Sequence, residues 1–234
     1  MSRFIYGINP VIEALRAHPQ DVVRVIVERG KAEKVLRAAQ EARVRVDEVG
    51  HDELHRRSRA GVHQGVGAEL AEFRYAELED LLDADFLLVL DGVTDPQNLG
   101  ALVRSAHALG AAGVVVPKDR AAGMTPAASK AAAGALEHCK VARVTNLSRA
   151  LEQLKEAGLW TVALAADGEK ELGELDLKAR TALVLGSEGQ GVRPLVRKTC
   201  DHVARIPMAG KVGSLNVAAA GAIALYEVAR QRRR

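Results

Sequence analysis

Residues 204–226 read ARIPMAGKVGSLNVAAAGAIALY, and the reading of this stretch sets how the remainder of the chain is understood. It begins as a short apolar strand over 203–206, which Pro207 ends by withholding a backbone donor. A loop carrying Gly210 and Gly213 follows, and then Ser214 and Asn216, either of which can cap a helix running from Val217 into the C-terminal arginines. That helix keeps an apolar stripe at Val217, Ala220, Ala224, Leu225 and Val228, while Ala218, Ala219, Gly221 and Ala222 leave it thin. A thin helix admits a second backbone or a ligand at close range. Taken alone, the stretch predicts a capped, buried helix after a strand.

Upstream, FLLVLDGV from Phe86 is a near-continuous apolar run, and others follow at 113–116, 142–144, 160–165 and 182–185. Such runs fit strands covered on both faces. Helical patterns at 99–109, 126–136 and 148–156 separate them, and the alternation predicts an α/β fold, a parallel sheet with helices on both sides. Residues 1–70 form a smaller α/β module. Asn9-Pro10 opens a helix through Ala17, VVRVIVE (22–28) is a strand, and KAEKVLRAAQEA (31–42) is a helix. A strand at 44–49, a polar helix over 51–61 and a third strand over VHQGVGAEL (62–70) complete the module. Residues 71–82 read as a short, partly helical connector to a second domain, 83–234.

The chain has 234 residues, 48% hydrophobic and 27% charged, as expected of a soluble globular protein. A net charge of +3 is too small to indicate a polyanion partner. The basic clusters say more: His55, Arg56, Arg57 and Arg59 form one, and Arg230, Arg232, Arg233 and Arg234 another. Each fits either RNA contact or a solvated helix end. Cys139 and Cys200 lie far apart without CxxC spacing or a surrounding His/Cys cluster, so reduced thiols and no metal are expected. No run resembles a signal peptide or a membrane span, which places the chain in the cytoplasm. GSEGQG (186–191) follows a strand, but its glycines fall as GxxGxG rather than GxGxxG, and Gly210-Lys211 lacks the upstream glycine of an NTPase loop.

Three blocks in order, LDGVTDPQNLGALVRSAHALGAAGVVVP (90–117), ALVLGSEGQGVRPLV (182–196) and IPMAGKVGSLNVAAAGAIALYE (206–227), resemble the signature blocks of the SpoU/TrmH group of SPOUT RNA methyltransferases. The resemblance implies a C-terminal parallel-sheet domain ending in a deep trefoil knot and a small N-terminal, L30e-like RNA-binding domain, for which GINPVIEAL (7–15) and VHQG (62–65) are the matching words. It implies S-adenosylmethionine as methyl donor and a catalytic set at Asn98, Arg104, Glu188, Ser214 and Asn216. Gly186, Ile206, Met208 and Leu215 match the positions that contact the cofactor, largely through backbone. Arg56, Arg57, Arg59, His63 and Gln64 are the side chains it places nearest RNA. The thin helix from Val217 fits the homodimer contact of the family. Within the group, the likeness favours enzymes that methylate a guanosine of 23S ribosomal RNA; a tRNA guanosine enzyme, a thiostrepton-resistance type enzyme and a non-catalytic RNA-binding protein of the same fold are the alternatives.

The residue types suit the chemistry. A ribose 2'-hydroxyl attacks a sulfonium methyl group in line with the departing sulfur, so the protein must hold two substrates in near-attack geometry and help a proton leave. Neither metal nor covalent nucleophile is required. Asn98, after Pro96, can be a helix cap or a site residue. Arg104 sits among Leu102, Val103 and Ala106; as a guanidinium, which loses its proton only above about pH 12, it suits a phosphate grip and alkoxide stabilisation better than the role of base. Glu188 can pair with Arg104 or orient Asn98. A nicotinamide dehydrogenase is the reading from another class, separable by whether the protein binds NAD or S-adenosylmethionine.

Overall fold

In the computed structural model, which describes residues 2–59, 61–211 and 213–233, the chain builds two separate sheets. The first holds β1 (Ser2–Tyr6), β2 (Val22–Glu28), β3 (Val46–Val49) and β4 (Val66–Ala71) in the order β1-β4-β2-β3. β4 runs antiparallel to β1 and β2, and β2 runs parallel to β3. Helices α1 (Ile8–Ala17), α2 (Glu33–Glu41) and α3 (His51–Arg57) connect these strands. One core joins Ile5, Val11, Val25, Val27, Val35, Val66 and Leu70, while Gly67 leaves room on the other face for the Phe4 ring and Leu54 of α3.

Three features of this module differ from the sequence reading. β1 is not legible in the sequence, because Phe4-Ile5-Tyr6 is too short a run of β-formers to announce a strand alone; it pairs along its whole length with β4, a partner over sixty positions away. VHQG is a turn, since Gln64 (φ 56) and Gly65 (φ 76) take left-handed backbone, and the strand starts only at Val66. The polar helix ends at Arg57, and Arg59 is left-handed (φ 52).

Arg24, on the central β2, donates to Glu69 of β4 at 2.9 and 2.8 Å and to Asp47 of β3 at 2.7 Å, and Arg57 adds a 2.6 Å bond to Glu69. The Arg24 hydrogen bonds hold both carboxyls below their ordinary range. A carboxyl whose folded pKa is depressed stabilises the fold above its unfolded pKa and ceases to do so as pH falls through the folded one. Denaturation of the module is therefore expected to become easier as pH drops from about 5 through the carboxylate range. Glu69→Gln should flatten that dependence, as read from urea midpoints at a series of pH values.

The second sheet comprises β5 (Phe86–Asp91), β6 (Gly113–Pro117), β7 (Lys140–Val144), β8 (Trp160–Leu164), β9 (Lys170–Glu171), β10 (Thr181–Gly186) and β11 (His202–Arg205). Their order is β7-β6-β5-β10-β8-β11-β9, with every neighbouring pair parallel. Helices α4 (Pro96–Ala108), α5 (Pro126–Ala132), α6 (Leu147–Glu156), α7 (Pro194–Thr199) and α8 (Val217–Arg232) cover it. Leu88 and Leu90 of β5 join a core with Leu102, Leu185 and Leu225, whereas Leu87 and Val89 join one with Leu151, Val184 and Val196. Burial on both faces is what made these strands legible as unbroken apolar runs. Of the predicted stripe on α8, Val217, Ala224, Leu225 and Val228 are buried; Gly221 completes it and Ala220 is only half-buried.

The strand order reverses between β5 and β10, which leaves a crevice at their carboxyl ends. Cys139 and Cys200 are free thiols, both pushed up to about 12 by burial and thereby unreactive. Residues 72–85 touch the sheet edge where Ala76 bridges Ala142, and form a single 3-10 turn at Leu78–Leu81. The two sheets' modules meet through Arg3 and Glu137 (2.7 Å), His138 and Glu13 (2.9 Å), and Lys130 and Gln64 (2.6 Å).

Candidate active site

A cleft of about 530 Å³ opens at the carboxyl ends of β8, β10 and β11. Its floor is Gly186, the last residue of β10. A Cβ there would overlap the Gly191 carbonyl group and the Val192 amide, so only glycine lets the following loop fold back over the strand. Ser187 and Gly191 close that loop with two backbone bonds of 3.1 and 2.9 Å. Asp91, at the end of β5 with its side chain fully buried, accepts from the Arg193 amide at 2.8 Å and its Nε at 2.7 Å. It thereby ties the loop's far end to the sheet. Sequence reasoning missed Asp91; its one signal was an acid ending an otherwise apolar run.

Asn216 joins the segments. Its Oδ1 caps α8, accepting from the amides of Ala218 (2.9 Å) and Ala219 (3.2 Å). Its Nδ2 donates to Asn98 Oδ1 at 3.1 Å and to Glu188 Oε1. Glu188 Oε1 also accepts from the Val217 amide at 3.4 Å. Asn98 is free for this contact because Asp95, accepting from the Gln97 amide, caps α4 in its place. The alternative reading of Asn98 as the cap is thus corrected. Glu188 also meets Asn216 rather than Arg104.

Asn98, Glu188 and Asn216, spread over 118 positions, therefore share one hydrogen-bonded chain. Arg104 does not join it. It lies exposed on α4, six residues or about 9 Å of helix beyond Asn98, and makes no hydrogen bond or ion pair among the described residues. Ser214 is exposed on the cleft wall. Ile206, Met208 and Leu215 line the cleft as well, with Met208 and Leu215 unusually open for apolar side chains at 39% and 42% exposure. The described amides of residues 208–215 donate to no other described residue. Asp167 and Arg197, paired at 2.9 Å through both carboxylate oxygens, stand at the rim and were not anticipated from sequence.

On the N-terminal module, Arg56, Arg59 and Gln64 are exposed. Arg57 is held by Glu53 and Glu69. His63 is buried, with Nδ1 accepting from the Gly65 amide at 3.1 Å, and Gln64 Oε1 accepts from the Ile8 amide and Lys130. Of the C-terminal arginines, Arg230 pairs with Glu227 and Arg232 donates to the Leu177 carbonyl. Arg234 lies outside the described residues.

The model of the SpoU rRNA Methylase family matches residues 85–226, and that for RNA 2'-O ribose methyltransferase substrate binding matches residues 4–76. Over 194 residues the chain is 49% identical to the uncharacterized tRNA/rRNA methyltransferase slr0955 of Synechocystis sp., covering 80% of this chain but 50% of that protein's length. Over 239 residues it is 44% identical to the 23S rRNA (guanosine-2'-O-)-methyltransferase RlmB of Pseudomonas syringae pv. tomato, covering 97% and 95% of the two. Among solved structures, the SpoU methyltransferase AviRb from Streptomyces viridochromogenes in complex with AdoMet superposes with a TM-score of 0.85 at 27% identity, covering 99% of this chain and 90% of that one.

Proposed function

The chain belongs to the SpoU rRNA methylase family, and from that premise we propose that it methylates the ribose 2'-oxygen of a guanosine in 23S ribosomal RNA with S-adenosylmethionine as donor. The observation that carries this reading is the chain of Asn98, Glu188 and Asn216 at the mouth of a cleft whose floor admits only glycine. Near-full-length likeness to an enzyme named for 23S rRNA supports the choice of RNA.

The cleft suits the donor. Open apolar side chains at Met208 and Leu215, a glycine floor and described amides that donate to no other described residue are what close approach to an adenine and a methionine moiety require. Gly186, Ile206, Met208 and Leu215 would hold it. When bound, S-adenosylmethionine supplies an electrophilic methyl group on a sulfur that departs readily as a thioether. The protein's part is then positioning. Asn216, rigid because it also caps α8, and Asn98 orient the ribose. Glu188 fixes Asn216 and offers a carboxylate oxygen near the hydroxyl proton. Ser214, on the wall, adds a second hydroxyl contact. Arg104 grips the phosphate beside the target ribose and steadies the developing alkoxide.

The remaining features follow the same reading. Residues 1–70 recognise RNA as an L30e-like domain, 71–82 connect and 83–234 catalyse. Arg56, Arg59 and Gln64 reach solvent and would meet RNA first; Arg57 and His63 would shape the surface from behind. A deep trefoil knot at this end of the sheet would account for the close approach of α8 to the loop after β10, where Asn216 bonds Glu188, and to Leu102 and Leu185 at Gly221. Ile223 and Tyr226, 46% and 49% exposed on α8, supply an apolar face for a homodimer. No described helix is long and apolar enough to cross a membrane, and a ribosomal RNA substrate would be met in the cytoplasm.

A thermal shift tests the donor. At a hundredfold excess over its Kd, S-adenosylmethionine should stabilise the protein by about 2.7 kcal/mol, and NAD should have no effect. Stabilisation by NAD alone would overturn the assignment.

A further inference from the structure

α3 carries His51 and His55 four residues apart, so both project from one face of the helix. The turn at 61–65 brings His63 against them. Ring centres lie 5.7 Å apart for His51 and His55, 5.1 Å for His51 and His63, and 5.9 Å for His55 and His63. One nitrogen from each ring falls within 4.8 Å of the other two. Three imidazoles holding one ion at about 2.0–2.1 Å in tetrahedral geometry have ring centres about 5 Å apart. The triangle is already close to that size, so the nitrogens converge by turning the rings rather than by moving the backbone.

The surroundings fit a ligand set. Glu28 places a carboxylate oxygen 3.4 Å from His51 Nδ1, the position from which a carboxylate orients a metal-bound imidazole. His63 is buried, so its ring is positioned by the surrounding module. A neutral imidazole has one lone pair, which on His63 now accepts from the Gly65 amide at 3.1 Å. Ligation would exchange that bond for one to the ion, while the ring's other nitrogen keeps its proton. None of the three residues lines the cleft.

We propose that His51, His55 and His63 form a binding site for a divalent transition-metal ion of the zinc class, which pins α3 to the turn that presents Gln64. Two of the three ligands are exposed, so a fourth position stays open to water. The site lies on the N-terminal module and takes no part in methyl transfer.

The test uses the full chain without a polyhistidine tag, stripped with a chelator and titrated with Zn²⁺ by calorimetry and with Co²⁺ by visible absorption. One ion per chain is expected, with the intense visible bands of tetrahedral Co²⁺. His51→Gln and His55→Gln, both at exposed positions, should each weaken Zn²⁺ by about tenfold or more, whereas His107→Gln on α4 should not. S-adenosylmethionine affinity in the same variants reports that the chain is still folded. Absence of stoichiometric binding, or binding unchanged in the His51→Gln/His55→Gln double variant, would overturn the proposal.

Discussion

Arg104→Ala is expected to lower methyl transfer by about 10²–10³-fold while leaving S-adenosylmethionine affinity within about threefold, because Arg104 lies outside the cleft lining. A guanidinium keeps its charge throughout the physiological range, so the role proposed for it is that of a fixed cation beside a phosphate and a developing alkoxide. An exposed arginine without a partner among the described residues is already free to serve an incoming polyanion. Arg104→Lys should recover only part of the activity, since an ammonium cannot grip phosphate oxygens in two-point fashion. Single-turnover methylation with saturating cofactor separates loss of chemistry from loss of RNA binding. Full activity in Arg104→Ala would remove the residue from the mechanism. Mixing Arg104→Ala with Asn98→Ala subunits adds a second readout: recovery of activity in the mixture would mean that Arg104 serves the partner's cleft.

The second large effect is structural. Gly186→Ala is expected to destabilise the catalytic domain by about 3 kcal/mol or more and to eliminate cofactor binding. The added methyl would overlap the backbone of Gly191 and Val192, and backbone cannot rotate out of the way as a side chain can. Relief requires the 187–191 loop to lift, which moves Glu188 off Asn216 and opens the cleft floor. Gly189→Ala is the comparison. Gly189, unlike Gly186, has left-handed backbone (φ 80) but nothing within 4 Å of a Cβ, so its cost should be confined to about 1–2 kcal/mol of local strain. Urea denaturation of the two variants, with and without S-adenosylmethionine, measures the difference. Equal losses in both would mean that the close approach at Gly186 does not hold the cleft together.

Which parts of this molecule can be read from sequence follows from how locally each is encoded. β5, β6 and β10 are buried on both faces, so their apolar runs announce them without a partner. β1 and the two-residue β9 exist because distant strands offer hydrogen bonds, and no periodicity carries that information. The same holds in the site. Three ordered blocks point to Asn98, Glu188 and Asn216, and the fold joins these three in one hydrogen-bonded chain. That Asp95 rather than Asn98 caps α4 is encoded locally, in an acid directly before Pro96 at the first helical position; that Glu188 meets Asn216 rather than Arg104 depends on side-chain directions across segments 28 to 118 positions apart. Asp91 and the histidine triad were missed for related reasons. The first works through a loop a hundred residues away, and the third histidine sits in a turn that reads as strand. A His-x₃-His pair on a predicted helix was the available signal.

The most direct test of the central claim is methyl transfer from labelled S-adenosylmethionine to protein-free 23S ribosomal RNA and, separately, to bulk tRNA, both from cells lacking this protein. Label confined to 23S RNA and mapped to the 2'-oxygen of a guanosine is the predicted result. Label in tRNA alone, or in 23S RNA on a base, would contradict it.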